Sequence, residues 1–386
     1  MKRFILAVAF LCAQASLSTL HAQELFATKA KQAFLMDADT GTILFEKEAD
    51  APIPPASLAK LMTMELVFHS LRTGEHTLGD MIHISENAWK TGGSGSGGST
   101  MFAKLGSDIA LSDLIHAVII QSANDACIAI AEAYSGSEEV FAKAMTGRAK
   151  VIGLPNSEFR NSTGLPAAGQ HVTMRDLANL GRHIWKEYPE FYPIYSQREF
   201  EWNKIKQRNR NPLLAMDIGA DGMKTGFTEE TGYAIVGSSS RNGRRLFMAL
   251  SGLASERERA EEGRKMLEWG MRAFEKRDLF KEGEPVGEAA VFGGSKTHVP
   301  LVAKGAMAIF VPVANRDQLK ARIVYQGPLA APIEQGAEVG KLRVFIGERL
   351  MQETPVFAGE SVDTGSLRRR AEDALYELMT GWFRAL

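Results

Sequence analysis

The sequence predicts an α+β fold in which a block of helices packs on a mostly antiparallel sheet. Short strands come first, strongly apolar helical segments follow, and the chain then returns to alternating strands and one long amphipathic helix. With 386 residues, of which 45% are hydrophobic, the chain is long enough for a large domain and a smaller one. The formal net charge of -1 gives no support for nucleic-acid binding.

Residues 1–22 predict a secretory signal peptide. Two basic residues precede an apolar run, small residues follow it, and the run is shorter than the ~20 residues that span a bilayer. We expect cleavage after Ala22, with residues 13–15 as a competing site and a buried N-terminal strand as the alternative. Cleavage would remove Cys12 and leave Cys127 alone, so no intramolecular disulfide is expected.

The large region, residues 23–280, opens with a predicted hairpin. "QAFLMD" and "TILFEK" alternate in polarity around an Asp-Thr-Gly turn, and a helix begins near Ser57 after three prolines. Apolar periodicity predicts two helices joined at residues 122–124, and further helices at 138–152 and 173–187. "GMKTGFT", "GYAIVGSSSR" and "RRLFMALSGL" then predict strands, and "RERAEEGRKMLEWGMRAFEK" predicts the closing amphipathic helix.

Two smaller segments complete the chain. Residues 284–362 contain short β-rich runs separated by Gly, Pro and charged residues, which is typical of a small all-β domain that acts as a spacer or a docking module. Residues 366–386 predict an amphipathic helix with Trp, Phe and arginines. Such a helix suits a membrane surface on which it lies without spanning it, and an ordinary docking helix is the alternative.

The loop "TGGSGSGGST" at residues 91–100 contains the spacing of a dinucleotide-binding motif, G-x-G-x-x-G. The preceding segment is not a buried parallel strand, and no acid-tipped strand follows at the expected distance. We therefore interpret it as a glycine-serine loop beside a site.

Three short motifs carry the chemistry. The G-x-S-x-G, H-E-x-x-H and C-x-x-C patterns are absent, so neither a serine-hydrolase elbow nor a zinc site is indicated, and no metal or cofactor is expected. The remaining candidates lie in S-x-x-K, S-x-N and K-T-G, and they are Ser57, Lys60, Ser122, Asn124, Lys224, Thr225 and Gly226.

Lys60 follows Ser57 at the i+3 spacing that puts both side chains on one face of a helix. A lysine with its ordinary pKa near 10.4 is a poor base, but burial and a second cation, here Lys224, would lower that pKa. Ser122 could relay a proton, Asn124 could bind a substrate amide, and Lys60 is expected to be partly buried against Ser57, Ser122 and Asn124. The K-T-G segment is expected on a strand edge, where Gly226 would keep the edge unobstructed so that an extended substrate can add as a strand.

Four segments, "PASLAKLMT", "QSANDACIAIAE", "TGLPAAGQHVTMRDLA" and "DGMKTGFTEETGY", resemble the D-alanyl-D-alanine carboxypeptidases, the low-molecular-mass penicillin-binding proteins of the five/six type. The resemblance runs from about residue 25 to the C-terminus, and the three motifs in this order are highly specific together. It implies a penicillin-binding/β-lactamase-like transpeptidase fold and an acyl-enzyme on Ser57, with Lys60 as general base.

The resemblance also implies the partners and the substrate-binding groups. The substrate would be a peptidoglycan pentapeptide ending in D-Ala-D-Ala, β-lactams would be covalent inhibitors, and the exported protein would lie in the periplasm on the outer face of the inner membrane. The backbone N–H groups of Ser57 and Phe227 would form the oxyanion hole. The residues expected to bind substrate are Lys224, Thr225, Gly226, Phe227, Arg259 and, less well placed, Arg210; for each arginine an ordinary surface charge is the alternative.

Three residues differ from the pattern of the resembling family, and two other functions are alternatives. Ala123, Thr163 and Phe227 stand where relatives often carry glycine, histidine and histidine. A class A β-lactamase would carry an E-x-x-L-N segment between Asn124 and Lys224, and none is present. A non-catalytic wall-binding scaffold is the other alternative, and the intact motifs argue against it. Cys127 lacks a flanking histidine and is interpreted as a core residue.

Overall fold

The structure is a computed structural model that describes residues 26–315 and 318–380. It confirms the predicted α+β fold. The predicted signal peptide, residues 1–22, lies outside the described residues, as do the last six residues of the predicted terminal helix.

The centre of the large region is a five-stranded antiparallel sheet with strand order β2-β1-β9-β8-β7. The first and last strands of the region are therefore neighbours, because β1 pairs with β9. The predicted hairpin is present as β1 and β2, and the Asn-Gly turn joins β8 to β9. The strands are β1 (Gln32–Asp37), β2 (Ile43–Lys47), β7 (Ala220–Thr228), β8 (Gly232–Arg241) and β9 (Arg244–Leu253).

Helices cover both faces of this sheet, because its strands alternate apolar side chains between two cores. Phe34 and Met36 face the helical block, whereas Leu35 faces the long helix α6. The helices of the large region are α1 (Lys60–Thr73), α2 (Leu111–His116), α3 (Asn124–Ser135), α4 (Glu138–Val151), α5 (Met174–Glu187) and α6 (Glu256–Arg272).

Two small two-stranded sheets, of which only the second is a hairpin, interrupt the helical block, and the sequence patterns did not predict them. The first pairs β3 (Met81–His83) with β4 (Asp108–Ala110), and the second pairs β5 (Glu199–Trp202) with β6 (Ile205–Arg208). The β5–β6 hairpin matters for function because β6 forms part of the wall of the cleft that holds Ser57.

The remaining strands form the β-rich second region. Its six-stranded sheet has the order β14-β16-β17-β12-β11-β15, and β10 pairs with β13 beside it. The closing helix was predicted to run to Lys276, but α6 ends at Arg272 and the chain continues as β10, which pairs within the second region. The strands are β10 (Phe274–Phe280), β11 (Pro285–Phe292), β12 (His298–Val302), β13 (Met307–Pro312), β14 (Leu319–Tyr325), β15 (Leu329–Ala330), β16 (Glu338–Ile346) and β17 (Arg349–Ala358).

The terminal helix α7 (Leu367–Thr380) follows the second region. It touches the body near the end of β11, where the Asp373 carboxylate accepts a hydrogen bond from the Gly293 N–H at 2.8 Å. Its apolar residues Leu375 and Leu378 stay exposed to solvent. None of the helices in the described ranges combines the length and the apolar character that crossing a bilayer requires.

Candidate active site

The candidate nucleophile lies on a single 3-10 turn, Ala56–Ala59, which leads directly into α1. Lys60 is the first residue of that helix. The Lys60 Nζ lies 3.0 Å from the Ser57 Oγ, as the i+3 spacing predicts. The geometry allows direct proton transfer between the two side chains.

Lys60 is 1% exposed and hydrogen-bonds only neutral groups among its described partners. Besides Ser57, its ammonium donates to the Asn124 Oδ1 and to the Thr163 carbonyl oxygen, each at 2.8 Å. Burial lowers the pKa of Lys60 to about 8, and the positive charge of Arg210 adds to the effect. The lowered pKa makes the neutral, proton-accepting amine accessible near neutral pH.

The second motif joins two helical segments. The chain leaves the segment Ala117–Gln121 at Ser122, whose left-handed backbone (φ 66°) turns it toward α3, and Asn124 begins that helix. The Asn124 side chain reaches Lys60 as predicted. Ser122 was also expected against Lys60, but its buried Oγ has no hydrogen-bond partner within the described part of the chain, so it is left available to a ligand.

The third motif lies on β7, at the edge of the central sheet, as predicted. Lys224 is buried, and its Nζ donates to the Thr225 carbonyl at 3.0 Å. Burial lowers the pKa of Lys224 well below its ordinary value, and the positive charges of Lys60 and Arg210 lower it further. The sequence analysis assigned the lowering of the Lys60 pKa to burial and to a second cation, Lys224; burial is the largest cause in the structure, and the cation that contributes after it is Arg210.

Two glycines let distant segments approach the serine turn. A Cβ on Gly226 would lie 3.1 Å from the Leu58 Cγ and 3.2 Å from the Ala56 Cβ. A Cβ on Gly164, whose φ is +79°, would overlap the Ala56 carbonyl oxygen. The sequence interpretation gave Gly226 the task of clearing the strand edge for substrate, but here its lack of a side chain makes room for the turn that carries Ser57.

These elements surround an open cleft of about 860 Å³. Ser57 lies in its wall with the K-T-G strand, the glycine-serine loop at Gly97 and Gly98, and strand β6. That size matches cavities that hold small organic ligands. The loop therefore lies beside the site, as its composition predicted.

The two arginines and Phe227 line this cleft. Arg259 is 6% exposed, its guanidinium lies 5.5 Å from the centroid of the Tyr233 ring, and its buried Nε has no partner among the described residues. Burial lowers the pKa of Arg259, with Arg210 contributing after it. Phe227 is half exposed and its ring packs on Tyr233 at 4.4 Å.

Sequence reasoning missed two contributors to the site. The Thr163 carbonyl binds Lys60 through the backbone, so no residue type marks it; only the position of Thr163 in a matching segment signalled that the loop is near. Gln207 on β6 was missed because the hairpin that carries it was not predicted.

The fold and this geometry define a class, the serine hydrolases that pair a nucleophilic serine with a lysine base. The three motifs converge on one cleft, and no cluster of three metal-ligating side chains occurs in residues 26–315 and 318–380.

Comparison with known proteins narrows the class to a family. Residues 18–252 match the family described as D-alanyl-D-alanine carboxypeptidase, and residues 274–364 match that described as penicillin-binding protein 5, C-terminal domain. The chain is 37% identical to D-alanyl-D-alanine carboxypeptidase DacC of Escherichia coli over 97% of this chain and 94% of the relative.

Solved structures agree with these matches. Penicillin-binding protein 5 from Haemophilus influenzae is similar with a TM-score of 0.74 and 34% identity, covering 88% of this chain and 98% of that one. Penicillin-binding protein 6B from Escherichia coli is similar with a TM-score of 0.67 and 30% identity over 87% and 97% of the two chains. The chain therefore belongs to the D-alanyl-D-alanine carboxypeptidase family, as a low-molecular-mass penicillin-binding protein of the 5/6 type.

Proposed function

We propose that this protein removes the terminal D-alanine from peptidoglycan pentapeptides through an acyl-enzyme on Ser57, and that β-lactams inhibit it by acylating the same serine. The observation that carries the proposal is the Lys60 amine, 3.0 Å from the Ser57 Oγ and with a pKa lowered to about 8. An amine with that pKa is an effective base near neutral pH.

In the first half of the reaction, the Ser57 Oγ attacks the carbonyl carbon of the D-Ala-D-Ala bond while Lys60 takes the hydroxyl proton. The negative charge that develops on the carbonyl oxygen is stabilised by the backbone N–H groups of Ser57 and Phe227. The C–N bond then breaks as the Ser122 hydroxyl, which has no hydrogen bond to another described residue, donates its proton to the leaving nitrogen of D-alanine, and the proton held by Lys60 restores that hydroxyl once substrate links the two groups.

In the second half, water replaces the leaving amine. Lys60 removes a proton from the water, the resulting hydroxide adds to the ester carbonyl, and the Ser57 oxygen leaves with a proton returned by Lys60. The shortened peptide acid is released and the enzyme is regenerated.

Substrate binding follows from the charges along the cleft. The terminal carboxylate of the substrate lies against the Thr225 hydroxyl, Arg259 and Arg210, which line the cleft, with the buried Lys224 next to Thr225 on the same strand. Asn124 donates from its amide nitrogen to a substrate carbonyl, since its Oδ1 already accepts from Lys60.

The test uses purified protein, a fluorescent penicillin and a peptide ending in D-Ala-D-Ala. We expect covalent labelling, release of D-alanine, and loss of both in Ser57→Ala. The matched control is Ser94→Ala. Ser94 belongs to the glycine-serine loop beside the cleft but is not one of the residues that line it, so this variant should behave as wild type. Undiminished D-alanine release by Ser57→Ala would refute the assignment, and rapid turnover of penicillin would make the protein a β-lactamase.

We further propose that residues 1–22 direct export to the periplasm and that the terminal helix holds the protein on the outer face of the inner membrane, with the β-rich region as a spacer. Exposed Leu375 and Leu378 on α7 support surface attachment. Deletion of residues 366–386 should move the protein into the soluble periplasmic fraction. Unchanged membrane association would contradict the proposal, while Ser57 labelling should persist in either case.

A further inference from the structure

Gln207, on strand β6, has a side chain whose polar atoms lack partners. The residue is 4% exposed, and both its Nε2 and its Oε1 are buried without a hydrogen bond to any described residue. A buried carboxamide that forms no hydrogen bonds is costly, so proteins rarely keep one without a reason.

The position of Gln207 supplies a reason, because the residue lines the active-site cleft. Two other cleft residues share this property, since the Ser122 Oγ and the Arg259 Nε are also buried without described partners. The proposed function gives both of them to the substrate. Gln207 is the third such residue of the cleft, and that function has no use for it.

Other buried amides show that having both polar atoms unpaired is not general in this fold; Asn211, whose Nδ2 is also unpaired, still accepts a hydrogen bond from the Leu213 N–H. The Gln170 side chain accepts from the Arg160 N–H at 3.2 Å and donates to the Leu165 carbonyl at 2.9 Å. The Gln352 side chain accepts from the Thr42 hydroxyl and donates to the Thr354 hydroxyl, each at 3.4 Å.

We propose that Gln207 is a specificity-determining residue that binds a peptide amide of the substrate on the N-terminal side of the D-Ala-D-Ala unit; this rests on the proposed function. A carboxamide offers an acceptor and two donors, which complement the N–H and C=O of a peptide group. The flanking Lys206 and Arg208 are exposed and suited to charged groups, whereas the buried neutral amide between them matches a neutral one.

The size and charge of the cleft give the direction of the substrate. The D-Ala-D-Ala end is taken up by Ser57 and by the cationic groups of β7 and α6, and a cleft of about 860 Å³ has room for more of the peptide. β6 is one of the walls along which the upstream residues can lie. A short substrate that ends at D-Ala-D-Ala has no group to offer Gln207.

The test compares two substrates with the full chain and its Gln207→Met variant, which keeps the shape of the side chain and removes the amide. With a pentapeptide ending in D-Ala-D-Ala, we expect KM to rise about tenfold, the effect of losing one well-made hydrogen-bonding group, with kcat little changed. With an N-acylated D-Ala-D-Ala dipeptide, both constants should stay at wild-type values. Acylation by fluorescent penicillin should also be unchanged.

Thermal stability provides a second readout. If the role of Gln207 were only structural, its replacement would lower the melting temperature. Gln207→Met should melt at or above the wild-type temperature because it removes unpaired buried groups, whereas the matched control Gln352→Met should melt lower because its partners are left unpaired. Gln207→Asn, which keeps the amide but shortens its reach, carries the kinetic test if Gln207→Met does not fold.

An unchanged pentapeptide KM in a folded variant, with wild type active on both substrates, would overturn the role of Gln207 and leave the carboxypeptidase function standing. An equal rise in KM for both substrates would also overturn it, since the upstream peptide would then not be what Gln207 reads. If wild type releases no D-alanine from either peptide, the proposed function fails and this inference fails with it.

Discussion

Helix α1 buries two charged residues in opposite ways, Lys60 at its first position and Glu65 five residues later. The Glu65 Oε1 accepts from Arg148 at 3.0 Å, from Tyr188 at 2.9 Å, and contacts the His183 Nε2 at 3.2 Å. Burial raises the pKa of Glu65, but the bonds from His183 and Arg148 outweigh it, so the carboxyl pKa is lowered and its charge is held.

Lys60 has neutral partners, and its pKa is lowered to about 8, so its charge is easily lost. The same helix therefore contains two different buried charges. Glu65 stays charged because it bonds cationic partners, whereas Lys60 loses its charge easily because its described hydrogen-bond partners are neutral. The first arrangement serves stability and the second serves proton transfer. Substitutions at Lys60 and at Glu65 test whether one charge serves proton transfer and the other serves stability.

The largest expected effect is on the labile charge. Lys60→Met removes the base, so the acylation rate of Ser57 should fall by about 10²- to 10⁴-fold. The melting temperature should stay level or rise, because a buried cation without an acidic partner is removed. Stopped-flow acylation by penicillin and thermal unfolding measure the two. A Lys60→Met variant that loses stability but acylates normally would reverse the contrast.

Glu65→Leu should show the opposite pattern. It leaves Arg148, which is partly exposed, without its carboxylate, and we expect the free energy of unfolding to fall by about 3 kcal/mol. Acylation per folded molecule should change little. Denaturant unfolding and active-site titration separate the two quantities. Glu139→Gln, which breaks an exposed pair with Lys143, is the control and should leave stability unchanged.

A smaller effect concerns the pH at which Lys60 becomes a base. The neutral amine is the reactive form. The rate of Ser57 acylation should therefore reach its maximum above the Lys60 pKa of about 8 and decline as pH falls through that value. Arg210→Gln removes a nearby positive charge, which raises this pKa and shifts the acid limb of the profile to higher pH. Arg208→Gln, on the same cleft wall but not among the charges acting on Lys60, should leave the limb in place.

The smallest effect is expected at Cys127, which is buried in α3 behind Asn124. Burial raises the pKa of its thiol to about 12, so the thiolate is scarce at neutral pH. Native protein should therefore resist iodoacetamide, and unfolded protein should react with it. Ready alkylation of the folded enzyme, followed by mass spectrometry of the peptide, would show that the helix around the site opens.

The part of the site that could be predicted from sequence consists of side chains held by local spacing. Ser57 and Lys60 are one turn apart, and apolar periodicity defines the helix that carries them, so their contact follows from the pattern. Asn124 could be assigned because its motif lies at the joint of two predicted helices. Such signals depend on residue type and period alone.

The rest depended on tertiary contacts that leave no local mark. The Thr163 carbonyl could be supplied by any residue. The effect of Arg210 on Lys60 exists only after the segment that follows β6 has packed beside the second motif, where the Arg210 N–H donates to the Ile120 carbonyl at 3.4 Å. The end of α6 at Arg272 is of the same kind, because Phe274 pairs with Pro312 far along the chain. In each case pairing at long range outweighed the local pattern.

The close approach of Gly164 and Gly226 to the serine turn has a consequence for how the enzyme matures. The turn at residues 56–59 is wedged between two segments that are synthesised more than 100 residues later, so the nucleophile acquires its reactive setting only after most of the large region has assembled. A partly folded chain is therefore expected not to react with penicillin. The time course of covalent Ser57 labelling therefore also reports when the large region has finished folding.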